Sequence, residues 1–232
     1  VVVVGYGKSA ADIALEAVAV AKDVRIIFRE AHWPVPRKLA GVLPIKWGSL
    51  SRMASSFLPL YQRSTPLEKW LHGFGKPLVW IFWRLLEVIL RVQCHLGTRI
   101  AGDKSLLPSV PFEIDAFGES IMVACPEFYP LIHEGHILAH RTEIDHYTTK
   151  GIVLKDGTEL TVDCVVLATG WKSDFGYFPA DVGEALDKDT DGFYLYRHML
   201  HPVLPNLAFI GRATSFVSVL TYCLQARWLA EL

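Results

Sequence analysis

Residues 1–14 read VVVVGYGKSAADIA: four β-branched residues, a turn carrying two glycines, then an alanine-rich stretch. A continuous run such as Val1–Val4 suits a parallel strand buried on both faces. Gly5–Lys8 then reads as a turn, Ser9–Ala21 as a helix and Val24–Phe28 as a second strand. Strand, helix and strand fit within about 30 residues, the size of a right-handed βαβ unit.

Gly5, Gly7 and Ala10 match G-x-G-x-x-G/A in the strand-to-helix setting that gives this pattern its meaning. Gly5 permits the tight turn, Gly7 leaves the backbone open to a pyrophosphate, and Ala10 is small enough for close helix–strand packing. The helix N-terminus offers free N–H groups to anionic oxygens. Ser9 either adds a hydroxyl to the phosphates or caps the helix. Tyr6 and Lys8 complete the candidate turn, with Lys8 assisting the phosphates or simply solvated. A P-loop is excluded, because Gly7-Lys8-Ser9 would need a glycine where Val2 stands.

The end of the second strand selects the cofactor. A carboxylate there would bind the ribose 2′-OH of NAD, but Arg29 comes first and Glu30 second. Arg29 suits a 2′-phosphate and favours NADPH. In the alternative, Arg29 is a surface residue and Glu30 serves NAD.

Downstream, AHWPVPRKLAGVLP breaks regularity with three prolines, and residues 50–100 change texture to large aromatics with few turn signals. PLVWIFWRLLEVILRV is interrupted by Arg84 and Glu87, which leaves runs shorter than the ~20 residues of a membrane-spanning helix. A helical insertion packed on the core is the expectation; an interfacial membrane helix or a lid over an apolar substrate is the alternative. Strand signals return after Gly135, with a hairpin turn at Asp156-Gly157. TVDCVVLATG reads as a buried strand ending at Gly170, LPNLAFIG as a short strand and SVLTYCLQARWLAEL as a closing helix. HEGHILAH invites a metal reading, but H-E-x-x-H needs another residue between His133 and His136, and Gly135 would break its helix. No metal site is expected.

Composition narrows the classes further. The 232 residues are 51% hydrophobic and 20% charged, with a net charge of −1, so a globular protein without an electrostatic case for nucleic acid is expected. Four cysteines without a CxxC pair read as reduced, mostly buried thiols of an intracellular protein. The chain starts inside a strand, without an initiator methionine, and so reads as a fragment whose N-terminal portion is absent.

GYGKSAADIA followed by FREAHWPVPR resembles the NADPH-binding segment of flavin-dependent monooxygenases of the dimethylaniline, N-/S-oxygenating type. FYPLIHEGHI, DCVVLATGW and LPNLAFIGRATSF with LQARW are similar to later pieces of that family, in the same order. The resemblance implies an α/β fold in two parts. Residues 1–170 would be a three-layer Rossmann-like NADPH-binding domain, a parallel sheet with a β-meander, carrying a helical insertion at about 50–105. Residues 171–232 would be the C-terminal portion of a second, FAD-binding Rossmann-like domain. The family's FAD-binding G-x-G-x-x-G and F-x-G-x-x-x-H motifs lie upstream of the point where this sequence begins.

The chemistry implied is reduction of FAD by NADPH, capture of O₂ as a C4a-hydroperoxide, and oxygenation of a small molecule bearing a soft nitrogen or sulfur. Thr169 and Gly170 would approach the nucleotide or flavin, and Gly211 would bring backbone close to the flavin. The resemblance implies no acid–base constellation, and the fragment alone would be inactive. A Baeyer–Villiger monooxygenase is the sister reading, against which Ala10 and Asp12 lean. A non-catalytic NADP-binding module is the reading from another class. The expected setting is cytoplasmic, with peripheral membrane contact through residues 50–100 held open.

Overall fold

The computed structural model describes residues 1–48, 56–58, 65–101, 104–117, 122, 125–171, 175–186, 194–204, 206–213 and 218–232. They form two compact units, Val1–Gly170 and Trp171–Leu232.

The first unit opens with β1 (Val2–Val4), α1 (Lys8–Val20) and β2 (Val24–Phe28). A small hairpin, β3 (Lys38–Leu39) with β4 (Leu43–Pro44), leads into the short α2 (Ile45–Gly48). Next come α3 (Pro66–Leu71) and the long α4 (Lys76–Gln93). A second small hairpin, β5 (Arg99–Ile100) with β6 (Lys104–Ser105), precedes α5 (Phe112–Phe117) and α6 (Phe128–His133). The unit closes with β7 (Ile137–Arg141), β8 (Ile144–Thr148), β9 (Gly151–Leu154), β10 (Glu159–Thr161) and β11 (Val165–Leu167).

The central sheet runs β11-β1-β2-β7, all parallel. Val2 pairs with Arg25 on one side and Val165 on the other. The β-branched run at the N-terminus is therefore an interior strand, and Val2 and Val3 are buried. Ala10, Ala11, Ala14 and Ala17 form the buried stripe of α1, small residues that let the helix sit close on the sheet. This helical face joins Trp83, Leu86, Leu90, Phe128 and Ile132 in one core. The antiparallel meander β8-β9-β10 covers the other face, where Ile152, Leu154 and Leu160 pack on Val2 and Ile27. Helices, parallel sheet and meander make an α/β arrangement in three layers.

β11 departs from the buried strand expected for TVDCVVLATG. It is an edge strand, half-buried at Val165 and Val166 and exposed at Leu167, because β1 is its sole partner among the described residues. The thiols differ too. Cys94 is buried, Cys125 half-buried, and Cys164 and Cys223 exposed, the former in the turn before β11 and the latter on an open helix face.

Arg84 and Glu87 interrupt the apolar run of α4 for a structural reason. Arg84 pairs with Glu87 at 3.0 Å and with Glu113 of α5, while Glu87 accepts the Phe112 amide at 2.8 Å. Trp83 stacks on Phe112 beside them. On its other side α4 leaves Leu78, Trp80, Leu85, Val88 and Val92 exposed. No helix among the described residues is long and apolar enough to cross a membrane.

The second unit contains α7 (Ala180–Leu186) and α8 (Ser218–Ala230). Among its described residues, LPNLAFIG does not form the short strand expected of it; Ala208 makes a single bridge with Leu200, which also bridges Tyr196. DKDTDGFYLY (187–196), which reads as a loop running into a strand, lies largely outside the described residues.

Candidate functional site

The sheet order reverses at β1, which lies between its successor β2 and the late strand β11. A crevice at the carboxyl ends of two such strands is where open α/β sheets bind ligands. Gly5 and Gly7 sit at the end of β1, and Ala168, Thr169 and Gly170 at the end of β11.

The two glycines do different jobs. Gly5 has φ +133°, and a Cβ there would lie 2.3 Å from the carbonyl oxygen of Ala168. Its amide donates to Ile27 at 2.9 Å, and the Ala168 amide donates to Val4 at 2.8 Å. Gly5 thus locks β1, β2 and β11 together at their ends. Gly7 has ordinary extended backbone, and no atom lies within 4 Å of the position its Cβ would take. That is an open cradle, bounded by the first turn of α1.

Gly7 is the N-cap of α1 and gives no side-chain hydrogen bond. The capping role considered for Ser9 does not hold: Ser9 lies inside the first turn, one residue too late. The first-turn amides have no intrahelical partners and so remain available to an anion. Ala10 is fully buried, its Cβ 3.5 Å from the notional Cβ of Gly5. Tyr6 offers only backbone to a ligand, because its ring is buried against Phe28 with centroids 4.2 Å apart. Burial pushes the Tyr6 phenol far above its ordinary range.

Lys8 is held by Asp12, one helical turn on, and its Nζ lies 3.8 Å from Cys125 Sγ. That hydrogen bond raises the lysine and lowers the carboxyl. The i+4 spacing of Asp12 from Lys8 is the sequence signal for this pair. Arg29 directly follows β2, with 79% of its side chain exposed and its Nε 3.8 Å from Glu143. Glu143 is shared with Lys155, whose hydrogen bond lowers its carboxyl. Glu143 lies on the turn after β7, and nothing local marks it as a neighbour of Arg29. Beyond Arg29, buried Asp115 accepts the Trp33 amide at 2.7 Å and meets His32 at 3.1 Å, which fixes the course of the loop.

In the second unit, Gly211 has φ +92°, and the nearest atoms to its notional Cβ belong to the Tyr222 ring, at 4.0 Å. Its amide donates to Gln225 Oε1 at 3.3 Å, while Gln225 Nε2 donates to the Arg197 carbonyl at 3.4 Å. Buried Gln225 therefore braces this exposed glycine loop from α8.

A family model described as flavin-binding monooxygenase-like matches residues 124–232. Probable flavin-containing monooxygenase 1 of Arabidopsis thaliana is 29% identical across the whole of this chain and 44% of its own length. Along its whole length the chain is similar to flavin-containing monooxygenases. A second similar protein is dimethylaniline monooxygenase [N-oxide-forming] 2 of Mus musculus, 25% identical over 98% of this chain and 38% of its own length. The chain spans less than half the length of these flavin monooxygenases. Among solved structures, cyclohexanone monooxygenase in its rotated conformation matches with a TM-score of 0.61 at 15% identity, over 99% of this chain and 53% of that one. OTEMO in complex with FAD and NADP matches with a TM-score of 0.61 at 16% identity, over 98% and 50%. At such identities these two show a shared fold.

Proposed function

We propose that the first unit is the NADPH-binding part of a flavin monooxygenase that oxygenates a small molecule at nitrogen or sulfur. The observation that carries this is the pairing of an open Gly7 cradle with an exposed Arg29 at the end of the neighbouring strand. The pyrophosphate would lie on the Gly7 backbone and the first-turn amides of α1. Arg29 would hold the 2′-phosphate, leaving the Glu143 carboxylate to Lys155. Gly5 and Ala10 act only by keeping the turn tight. Thr169 and Gly170 flank the crevice from the β11 side, and Gly211 offers exposed backbone to a planar group in the second unit.

Bound NADPH supplies a hydride and bound FAD activates O₂; the chain's own groups bind and orient. The N-oxide-forming mouse relative supports a nitrogen-containing substrate. The exposed apolar side of α4, with Trp80 at its head, supports peripheral contact with a membrane surface.

The test is titration of NADPH and NADH against the parent and Arg29→Ala. We expect NADPH affinity to fall about tenfold or more, the worth of a charge-assisted contact, with NADH unaffected. Equal loss for both nucleotides, or none for NADPH, would refute the role given to Arg29.

A further inference from the structure

A cavity of about 340 Å³ opens beside the small β3–β4 hairpin, between the loop after β2, the end of α4 and the start of α6. Its wall is apolar: Pro34, Val35, Pro36 and Pro126, with buried Cys94 and Tyr129 behind them. Desolvation pushes the Cys94 thiol up to about 11, so it stays neutral. Among the described residues, the charged side chains lining the cavity are Arg37 and Lys38, and no carboxylate lines it. Neither cation has an ion-pair partner among the described residues. Two unneutralised cations at the edge of an apolar hollow favour an anion with an apolar body.

The rim is also held in place. Ala40 and Gly41 both have positive φ, +50° and +73°, and at Ala40 this is an uncommon conformation for a residue with a Cβ. Gln93 of α4 clamps that turn, its Oε1 accepting the Ala40 amide at 2.9 Å and its Nε2 donating to the Lys38 carbonyl at 2.8 Å. Backbone strain held by a dedicated side chain, next to a cavity, is the pattern of a preorganised binding site.

We propose that this cavity binds a small amphipathic carboxylate, its apolar body against the proline wall and its carboxylate on Arg37 and Lys38. The site is separate from the dinucleotide cradle, although Cys125 on its lining touches Lys8 and Asp12 of α1. The proposal does not depend on the nucleotide reading.

The test uses the full chain and phenylacetate, with binding followed by calorimetry. Phenylacetate should bind at least tenfold more tightly than acetate, which lacks the apolar body, and than phenylacetamide, which lacks the charge. The double variant R37Q/K38Q, changed only at exposed side chains, should lose tenfold or more for phenylacetate with an unchanged melting temperature. Saturating NADPH should leave phenylacetate bound. Equal binding of acetate or phenylacetamide, an unaffected double variant, or competitive displacement by NADPH would each overturn the proposal. The first three arms would dismiss the amphipathic anion site, and the last would assign the cavity to the nucleotide. The comparison of phenylacetate with phenylacetamide needs no variant, so it stands even if R37Q/K38Q fails to fold.

Discussion

Substituting alanine for each glycine of the turn separates two roles that the motif runs together. In Gly5→Ala the new methyl would sit 2.3 Å from the Ala168 oxygen and 3.0 Å from its carbon, both backbone atoms that cannot swing aside. The φ of +133° adds a conformation that L-residues rarely adopt. Backbone strain of roughly 1–3 kcal/mol and overpacking of roughly 1–3 kcal/mol give a loss of about 4 kcal/mol. That is a large share of the roughly 5–15 kcal/mol that holds a typical domain together. In Gly7→Ala the methyl meets nothing within 4 Å, and the backbone is already extended. Alanine is a poorer N-cap than glycine, by about 0.5–1 kcal/mol, but restricts the unfolded chain by a similar amount. Stability should therefore stay within about 1 kcal/mol of the parent. The methyl nevertheless fills the cradle, so NADPH binding should weaken tenfold or more, about 1.4 kcal/mol. Urea unfolding and NADPH titration of both variants read the two quantities independently. A Gly7→Ala protein that binds NADPH as the parent does would refute the placement of the pyrophosphate. A Gly5→Ala protein of parental stability would refute the steric argument.

His140 on β7 is buried, with Nδ1 unpartnered among the described residues. Burial, then the nearby Arg25, hold its imidazole below the ordinary value of 6.5, against weaker opposite effects of Asp156 and Asp23. The unfolded chain takes up this proton first, so the stability in question is intact above about pH 6.5 and falls as acid is added below it. Melting temperatures from pH 7.5 to 5 should decline more steeply for the parent than for His140→Leu; parallel curves would remove His140 from the account. For the apolar side of α4, Trp80→Glu should reduce co-sedimentation with anionic lipid vesicles without lowering the melting temperature. A parent chain that stays in the supernatant would end the membrane reading.

The opening βαβ unit was legible because its signals are local. The β-branched run, the glycines and the alanine stripe each occupy consecutive or helically spaced positions, and β2 has the expected bounds, Val24–Phe28. The Asp156-Gly157 hairpin was legible for the same reason. What escaped was set by tertiary partners. Tyr6, between two glycines, reads as part of the cofactor-binding turn, yet its ring packs on Phe28. Arg84 and Glu87 read as interruptions of an apolar helix, and Glu113 and the Phe112 amide, distant in sequence, explain them. LPNLAFIG has the composition of a strand, but a strand needs a neighbour, and Ala208 makes a single bridge. At the candidate site, the places of Gly7 at the head of α1 and of Arg29 after β2 were readable from type and spacing. The Ala168 carbonyl was not, since any residue carries one.

The contact between Gly5 and Ala168 also bears on when the cradle comes into being. A motif written within ten consecutive residues looks like something a nascent chain could complete as soon as α1 emerges. Here one wall of the turn is the carbonyl of a strand made near the end of the unit, after the insertion and the whole meander. Closing so long a loop is slow and entropically costly, so completion of the cradle belongs among the last events in the folding of this unit. Until β11 docks, the growing chain carries the glycine motif without its site, and β1 presents an unpaired edge to other chains.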